Sequence, residues 1–289
     1  LGAGGVGFLP LLVMRERALI EKHARAAGFA DLTVRWIDLG GPAVMNDALL
    51  SGSVDFIAAG PPAFITLWDR TRDSADVRGV AAMASLPMYL NTTNPELRSL
   101  DDLTAKDKIA VTSVKVSIPS LVMQMYAAEK YGAAEAFRFD RYTVTMTHPD
   151  ALIALTSGSG QIDAHFTSPP FHEREIKDPK VHTVLSSDDI MGGSTTFTML
   201  STTATFRDRN PQAYAAVLAA LEEANAFIRD HPREAAEILF KAEASAGFSV
   251  DEIAEVLRST DIRFTTTPEN TEKYAAFMQQ IGSITHKPA

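Results

Sequence analysis

Hydrophobic and polar positions repeat one pattern twice along the chain. Residues 48–55 lead into a short apolar stretch and then Pro61-Pro62, and residues 154–163 lead in the same way into Pro169-Pro170. Each copy predicts the end of an amphipathic helix, a glycine stop, a buried strand, and a Pro-Pro pair that opens a helix or a turn. Two similar units predict two similar lobes.

Apolar runs alternate with amphipathic stretches through the first part of the chain. Such alternation indicates an α/β fold with parallel strands and helices on the faces of the sheet. The pattern predicts helices from Pro10 to about Gly28, from Pro42 and over 61–72, and strands over 33–39, 54–58 and 79–85.

The second part of the chain repeats the alternation and ends in helices. Strands are predicted over 108–112 and 142–146, and helices over 117–131 and from Pro211, Pro232, Ser249 and Pro268 onwards. Two turn-rich or β-prone segments, 87–100 and 192–201, are predicted to cross between the lobes. The predicted division is therefore 1–88 with 198–289 in lobe I and 89–197 in lobe II, each with a mixed or parallel sheet.

Composition narrows the possible functions. The chain has 289 residues, a formal net charge of -9 and no cysteine. A surface that binds nucleic acid needs clustered Lys and Arg, which this chain lacks. Without cysteine there are no disulfides, thiolate metal sites or cysteine nucleophiles. No signal peptide is found in the given chain, which opens at Leu1 in what is predicted to be the end of a strand.

A glycine loop precedes the first predicted helix. Gly2, Gly4 and Gly7 have the G-x-G-x-x-G spacing of a dinucleotide loop, and Asp38 could bind the ribose. Against this alternative, Phe8-Leu9-Pro10 puts bulk and a proline where free N–H groups are needed. A dinucleotide-dependent enzyme therefore remains one alternative, and a ligand-sensing module of a signalling system is another.

Hydroxyl groups gather where predicted helices begin. Helix starts are predicted near Pro42, Pro61, Ser117 and Ser168, and unpaired N–H groups at such ends favour an anion. A small anion is expected to be held from lobe II by Ser113, Lys115, Ser117, Thr167 and Ser168. The residues expected to close on it from the other side are Phe8, Leu9, Gly41, Gly60, Pro61 and Ser85.

The histidines do not have metal-ligand spacing. His148, His165, His172 and His182 lack a second ligand at helical or hairpin distance, so each is interpreted as a core or surface residue. No nucleophile elbow and no P-loop occurs. We expect no cofactor, no metal and no catalysis.

Taken in order, several motifs resemble a known family. These are the glycine-rich start before a helix, the Gly40-Gly41 turn, 48–55, 100–103 followed by 108–111, and 155–163 followed by Pro169. The chain resembles substrate-binding proteins of ABC importers, of the nitrate/sulfonate/taurine type. A related thiamine-precursor enzyme shares the fold but relies on a cysteine-rich motif, which this chain lacks.

The resemblance implies a two-lobed protein of the type II periplasmic-binding fold that closes on a small solute by hinge motion. It implies a periplasmic location, or an extracytoplasmic one with a lipid anchor. The implied partners are a sulfonate, nitrate or carboxylate solute and an ABC permease in the membrane. We expect a monomer that does not bind nucleic acid.

Overall fold

The computed structural model describes residues 4–243 and 247–287. These residues contain two sheets and the helices that cover them. The strands β1 to β8 are, in chain order, Phe56–Ala59, Val77–Ser85, Tyr89–Thr92, Ile109–Val111, Thr143–Thr145, Ala164–Thr167, His182–Ser186 and Thr196–Thr203.

The helices begin at prolines in many cases, as the sequence predicts, because proline suits the first turn of a helix. The helices α1 to α13 are Leu9–Glu16, Leu19–Ala26, Pro42–Leu50, Pro61–Thr71, Ile118–Tyr131, His148–Thr156, Phe171–Glu175, Ser187–Met191, Ala204–Arg209, Pro211–Asp230, Pro232–Ala242, Val250–Val256 and Thr271–Gln280. Short 3-10 helices cover Val6–Phe8, Leu100–Asp102 and Ala133–Tyr142.

The two sheets differ in strand direction. The first has the order β1-β8-β2, with β8 antiparallel to both neighbours. The second has the order β5-β4-β6-β3-β7, in which β4 is parallel to β5 and β6 while β3 is antiparallel to β6 and β7. The predicted α/β class is confirmed, and the five-stranded sheet is mixed as predicted. The strand pairs of the three-stranded sheet are all antiparallel, which differs from the parallel or mixed sheet predicted there.

The two copies of the sequence repeat form matching structures. In the first, α3 ends before Gly52 and β1 leads into α4; in the second, α6 ends before Gly158 and β6 leads into a Pro-Pro turn and α7. In both, a buried threonine from the antiparallel neighbour strand donates to the aspartate carbonyl before the strand. Thr202 donates to Asp55 O and Thr92 to Asp163 O, both at 2.7 Å.

Three predicted elements differ in the structure. Among the described residues, 33–39 form no strand, although their pattern is β-prone. The single helix predicted from Pro10 to Gly28 is two helices, because Ala18 has a left-handed backbone with φ 48°. The last helix begins at Thr271 rather than at Pro268, after Asn270 in a left-handed conformation.

Both predicted crossing segments contribute a strand. β3 lies inside the five-stranded sheet, between β6 and the edge strand β7, and β8 lies in the middle of the three-stranded sheet. The division into lobes at 88 and 198 remains a prediction. The five-stranded sheet draws its strands from 89–186 and the three-stranded sheet from 56–85 and 196–203.

The core is made by apolar stripes that repeat every three or four residues along the helices. In α10 the buried residues include Ala213, Val217, Leu221, Ala224 and Ile228, which all lie on one face. In the part of the chain that the structure describes, we find no helix with the length and hydrophobicity to cross a membrane.

Candidate ligand-binding cleft

A small cavity lies between the two sheets, lined from both sides. Its volume is about 30 Å³, which can hold water but is well below the ~300–1,000 Å³ typical of ligand sites. The lining residues from the three-stranded side are Phe8, Pro42, Met45, Ala58, Gly60, Phe197 and Thr198. Those from the five-stranded side are Met88, Thr112, Ser117, Ile118, Pro119 and His148.

Five helices begin at this cavity, three on the three-stranded side and two on the five-stranded side. The lining includes the cap or the first residue of each: Phe8 before α1, Pro42 of α3, Gly60 before α4, Ser117 before α5 and His148 of α6. The N-terminal end of a helix carries partial positive charge and unpaired N–H groups. Prolines at the first or second position remove some of these donors from all five helices, but the dipoles remain.

The polar side chains of the lining are uncharged hydroxyls and one histidine. No Asp, Glu, Lys or Arg is among the described residues that line the cavity. Ser117 caps α5 by accepting from Ser120 N, and Thr198 donates to Gly7 O at 2.6 Å. The electrostatics of the cavity are therefore set by the helix ends and by His148.

The three-stranded and five-stranded sides of the cavity touch where the side chains are smallest. A Cβ on Gly41 would lie 2.8 Å from the carbonyl oxygen of Thr112, and a Cβ on Gly60 would lie 3.1 Å from the side chain of Ile118. Val6 N donates to Pro169 O at 3.3 Å. Glycine at positions 41 and 60 therefore permits the close approach of the two sides.

Several predicted site residues lie at this cleft. Phe8, Gly60 and Ser117 line the cavity, and Gly41 and Pro61 stand next to lining residues at the starts of α3 and α4. The Phe8 ring meets the Phe197 ring edge-on, at 6.3 Å between centroids.

The predicted residues Leu9, Ser113, Lys115 and Ser85 do not line the cavity. Leu9 is fully buried in α1, and the buried Ser113 uses its carbonyl to accept from Ser120 Oγ. Lys115 is exposed on its loop with φ 72°. Ser85 is buried at the end of β2, where its backbone pairs with Arg263.

Thr167 and Ser168 are likewise buried outside the cavity lining. Ser168 does not cap a long helix as expected: its carbonyl accepts from Phe171 N and His172 N, and α7 is only five residues long. The Ser168 hydroxyl is buried without a partner among the described residues. The helix that takes its predicted place at the cleft is α6, which Thr147 caps.

Three N–H groups of the described part of the glycine loop are already bonded within the protein. Gly5 N donates to Glu243 Oε1 at 2.7 Å, Val6 N to Pro169 O and Phe8 N to Gly5 O. Gly7 packs so closely on Phe197 that a Cβ would lie 2.2 Å from the ring. A dinucleotide loop needs such donors free, so the described part of this loop does not fit one; Gly2 lies outside the described residues.

Two of the histidines form a buried pair that the sequence did not predict. His148 Nδ1 lies 2.9 Å from His165 Nε2, and His165 Nδ1 lies 2.6 Å from Glu175 Oε1. Burial first, and then the electrostatic effect of the neighbouring His165, hold the pKa of His148 well below its usual value. No cluster of three metal-ligating side chains occurs within 4–243 and 247–287.

Burial also shifts the pKa values of titratable groups around Glu175. Burial raises the pKa of Glu173, with a further contribution from the nearby Glu175 carboxylate. Burial lowers the pKa of His172 to about 4. His172 stacks on Tyr89 at 3.8 Å between ring centroids, which places a neutral ring over the end of β3.

A larger cavity of about 260 Å³ lies elsewhere, beside the three-stranded sheet. Its lining comes from 11–58 and 200–217 and is mostly apolar, with Trp36 and Phe56 among its walls. A solute there would touch one side of the molecule only. The smaller cavity is the candidate site, because it alone of these two is shared by both sides.

The fold and the cleft define a class of two-lobed periplasmic binding proteins, and solved structures of that class match the chain. The alkanesulfonate-binding protein SsuA from Xanthomonas axonopodis pv. citri bound to MOPS has a TM-score of 0.74 at 14% identity, over 99% of this chain and 93% of that one. The aliphatic sulphonate binding protein SsuA from Escherichia coli has a TM-score of 0.64 at 17% identity, over 99% and 87%.

The nitrate-binding protein NrtA from Synechocystis PCC 6803 has a TM-score of 0.68 at 15% identity, over 96% of this chain and 79% of that one. At these identities the likeness shows the fold. No curated protein matched the chain. Residues 5–242 match the model of the NMT1-like family, and the chain therefore belongs to that family. The predicted resemblance is confirmed at the level of family and fold.

Proposed function

We propose that this chain is the extracytoplasmic solute-binding component of an ABC importer. It captures a small anion in the cleft between its two lobes and delivers it to a membrane permease, without catalysis. The lobes are 1–88 with 198–289 and 89–197, and the two segments that join them act as the hinge. The named relatives bind alkanesulfonates and nitrate, which supports this class of solute.

The observation that carries the proposal is the meeting of five helix N-termini at one cavity. Three come from one side and two from the other, so an anion there is favoured by both lobes together. No carboxylate among the described lining residues opposes it. Because the cavity is only about 30 Å³, solute must enter with the lobes apart.

Calorimetric titration with a panel of solutes tests the proposal. Ethanesulfonate, taurine, nitrate and acetate are compared with choline as a cation and with NADH as a dinucleotide. We expect at least one anion to bind, to raise the Tm and to weaken at high salt. Tighter binding of choline or NADH than of every anion would contradict the proposal.

A variant that lacks one hydroxyl group of the cavity lining tests whether the anion binds in this cavity. Ser117→Ala should weaken the bound anion about tenfold, because Ser117 lies on the lining and at the start of α5. The matched control is Ser157→Ala, at the far end of α6. Equal affinities in the two variants would place the anion elsewhere.

A further inference from the structure

Buried hydrogen bonds connect the interior of the five-stranded side to the cleft. Asn91 Nδ2 donates to Glu175 Oε2 at 2.9 Å, Glu175 Oε1 meets His165 Nδ1 at 2.6 Å, and His165 Nε2 meets His148 Nδ1 at 2.9 Å. Glu175 is 0% exposed and each of the two histidines is 1% exposed. Of these four residues only His148 lines the cavity, so this series of hydrogen bonds has one end in the cleft.

The amide of Asn91 fixes the orientation of the carboxylate end. Its Oδ1 accepts from Thr183 Oγ1 at 2.8 Å, which leaves Nδ2 to donate to Glu175 and to His172 Nδ1. Both oxygens of Glu175 thus receive a hydrogen bond, and the ionised carboxylate is satisfied. A buried carboxylate is favoured most when its partner carries the opposite charge.

The number of protons on the two rings decides what His148 offers to the cleft. With one proton on each ring, His165 donates to Glu175 and its bare Nε2 accepts from His148 Nδ1–H. His148 Nε2 then carries a lone pair and no proton, so it repels an anion. With one more proton, His165 is an imidazolium beside Glu175, it donates to His148 Nδ1, and His148 Nε2–H is a donor.

We propose, on the basis of the proposed function, that His148 recognises the anionic group of the solute through Nε2–H, and that binding takes up one proton. The solvent proton adds to His148 Nε2, and the proton of His148 Nδ1 passes to His165 Nε2. His148 stays neutral while the positive charge rests on His165, next to the Glu175 carboxylate. The solute class is an oxyanion that accepts one hydrogen bond from His148.

The other titratable groups packed around these rings do not supply a cation. Burial and the electrostatic effect of His165 hold the pKa of His148 well below its usual value, so His148 itself resists a full charge. The titratable groups that face the rings from the packed elements are neutral or acidic: Tyr89 on β3, Asp150 on α6, His172 and Glu173 on α7, and Glu243 at the end of α11, near Pro149. Arg174, also on α7, is exposed and pairs with Glu252 instead. No Lys or Arg is among the described residues of the cavity lining.

Calorimetry with ethanesulfonate in two buffers of different ionisation enthalpy measures the proton uptake. We expect about one proton per ethanesulfonate, and an affinity that falls by up to about tenfold per pH unit as the pH rises. His148→Gln can still donate a hydrogen bond but cannot exchange a proton with His165, and Glu175→Gln removes the charge that holds the proton. Each should abolish the uptake, and Glu175→Gln should also weaken binding about ten- to a hundredfold.

His182→Gln is the matched control, because His182 bonds Leu97 O on the outer strand β7 and takes no part in the buried chain. It should leave proton uptake and affinity unchanged. Two-bond ¹⁵N spectra of the histidine rings check the fold and the tautomers directly. They should show His148 protonated at Nδ1 in the free protein and at Nε2 with ethanesulfonate.

The outcomes separate this inference from the proposed function. Binding of ethanesulfonate or nitrate without proton uptake, with the His148 tautomer unchanged, overturns the inference and leaves the binding protein standing. Failure of every anion in the panel to bind overturns both. Proton uptake that persists in Glu175→Gln while its Tm stays near that of the parent protein also overturns the inference.

Discussion

At the scale of single residues, Gly41 sets how closely the two sides meet. Its φ of -87° suits any residue, so Gly41→Ala should fold normally and its free energy of unfolding should change by less than about 1 kcal/mol. The new Cβ would lie 2.8 Å from Thr112 O, a backbone atom that cannot rotate away. We expect ethanesulfonate to bind about tenfold more weakly in calorimetry.

The control for this variant is Val44→Ala, which truncates a side chain that is 52% exposed on the same helix. It should bind as the parent protein does. If Gly41→Ala also binds ethanesulfonate with unchanged affinity, then closure does not need the contact between the two backbones.

Substitution of a second residue, Glu243, should have a measurable effect on the free energy of unfolding. Burial raises its pKa to about 7, although the N–H of Gly5 acts in the opposite direction. The folded protein therefore holds a proton that the unfolded chain releases, and stability falls as pH rises between about 4.5 and 7. Glu243→Gln should raise the free energy of unfolding by about 1–2 kcal/mol at a pH of about 8.

Urea unfolding across this pH range measures the effect, with Glu237→Gln on the exposed face of α11 as the control. The gain from Glu243→Gln should shrink as the pH falls below 7, because the native glutamic acid is then neutral too. A gain that is the same at every pH would show that the carboxyl charge is not its cause.

At the scale of elements, the two copies of the repeat should respond alike to the same change. Thr202→Val and Thr92→Val each remove a hydroxyl that donates to an aspartate carbonyl at 2.7 Å. Each should lower the free energy of unfolding by about 1 kcal/mol, because a partly buried hydrogen bond is lost. The exposed Thr145 of β5 supplies the control, Thr145→Val; a difference of several-fold between the two copies would show that they are not equivalent.

Elements with local signals were predictable, and those fixed by distant partners were not. Proline at the start of α3, α4 and α10 marks a helix from the sequence alone. The turn-rich segment predicted to cross between the lobes contains the strand β3, and its polar residues Asn91 and Thr92 are both buried. Their partners Glu175, Thr183 and Asp163 lie 71 or more residues away, where no local pattern reaches.

In the candidate site too, residues with a local signal were predictable and those fixed by distant partners were not. Ser117 was predictable because it precedes a helix start, and a Thr–x–Pro–Asp signal at 147–150 could have placed α6 and His148 beside it. The link from His148 to Glu175 could not be predicted, since it depends on β6 and α7 bringing the two residues together. A histidine in a sequence carries no sign of which ring nitrogen will be bonded.

At the scale of the whole molecule, charges join the two sides outside the cavity. Glu252 of α12 pairs with Arg174 at 3.4 Å and with Lys177, both from the segment 89–197. The hydrogen bond from Lys177, followed by the N–H of Ser249, lowers the pKa of Glu252 to about 2. The stability that the ionised Glu252 contributes through these pairs is present above a pH of about 4.5 and is lost as the pH falls towards 2.

Glu252→Gln tests whether these pairs favour the closed arrangement. Glutamine keeps the capping box with Ser249, so only the ion pairs are lost. Exposed pairs contribute about 0.2–1 kcal/mol, so ethanesulfonate should bind up to about fivefold more weakly, with a smaller dependence on NaCl. The control is Glu255→Gln on the same helix; an identical salt dependence in both variants would rule out a role for Glu252.

The contact between Gly41 and Thr112, together with the small cavity beside it, relates solute size to the shape of the protein. A solute larger than the closed volume has to keep the sides apart, by a distance that grows with its length. In a series of linear sulfonates, each added methylene should therefore widen the angle between the lobes and increase the radius of gyration in solution scattering. A membrane partner that recognises one fixed angle would then accept solutes by length, even though it never touches them.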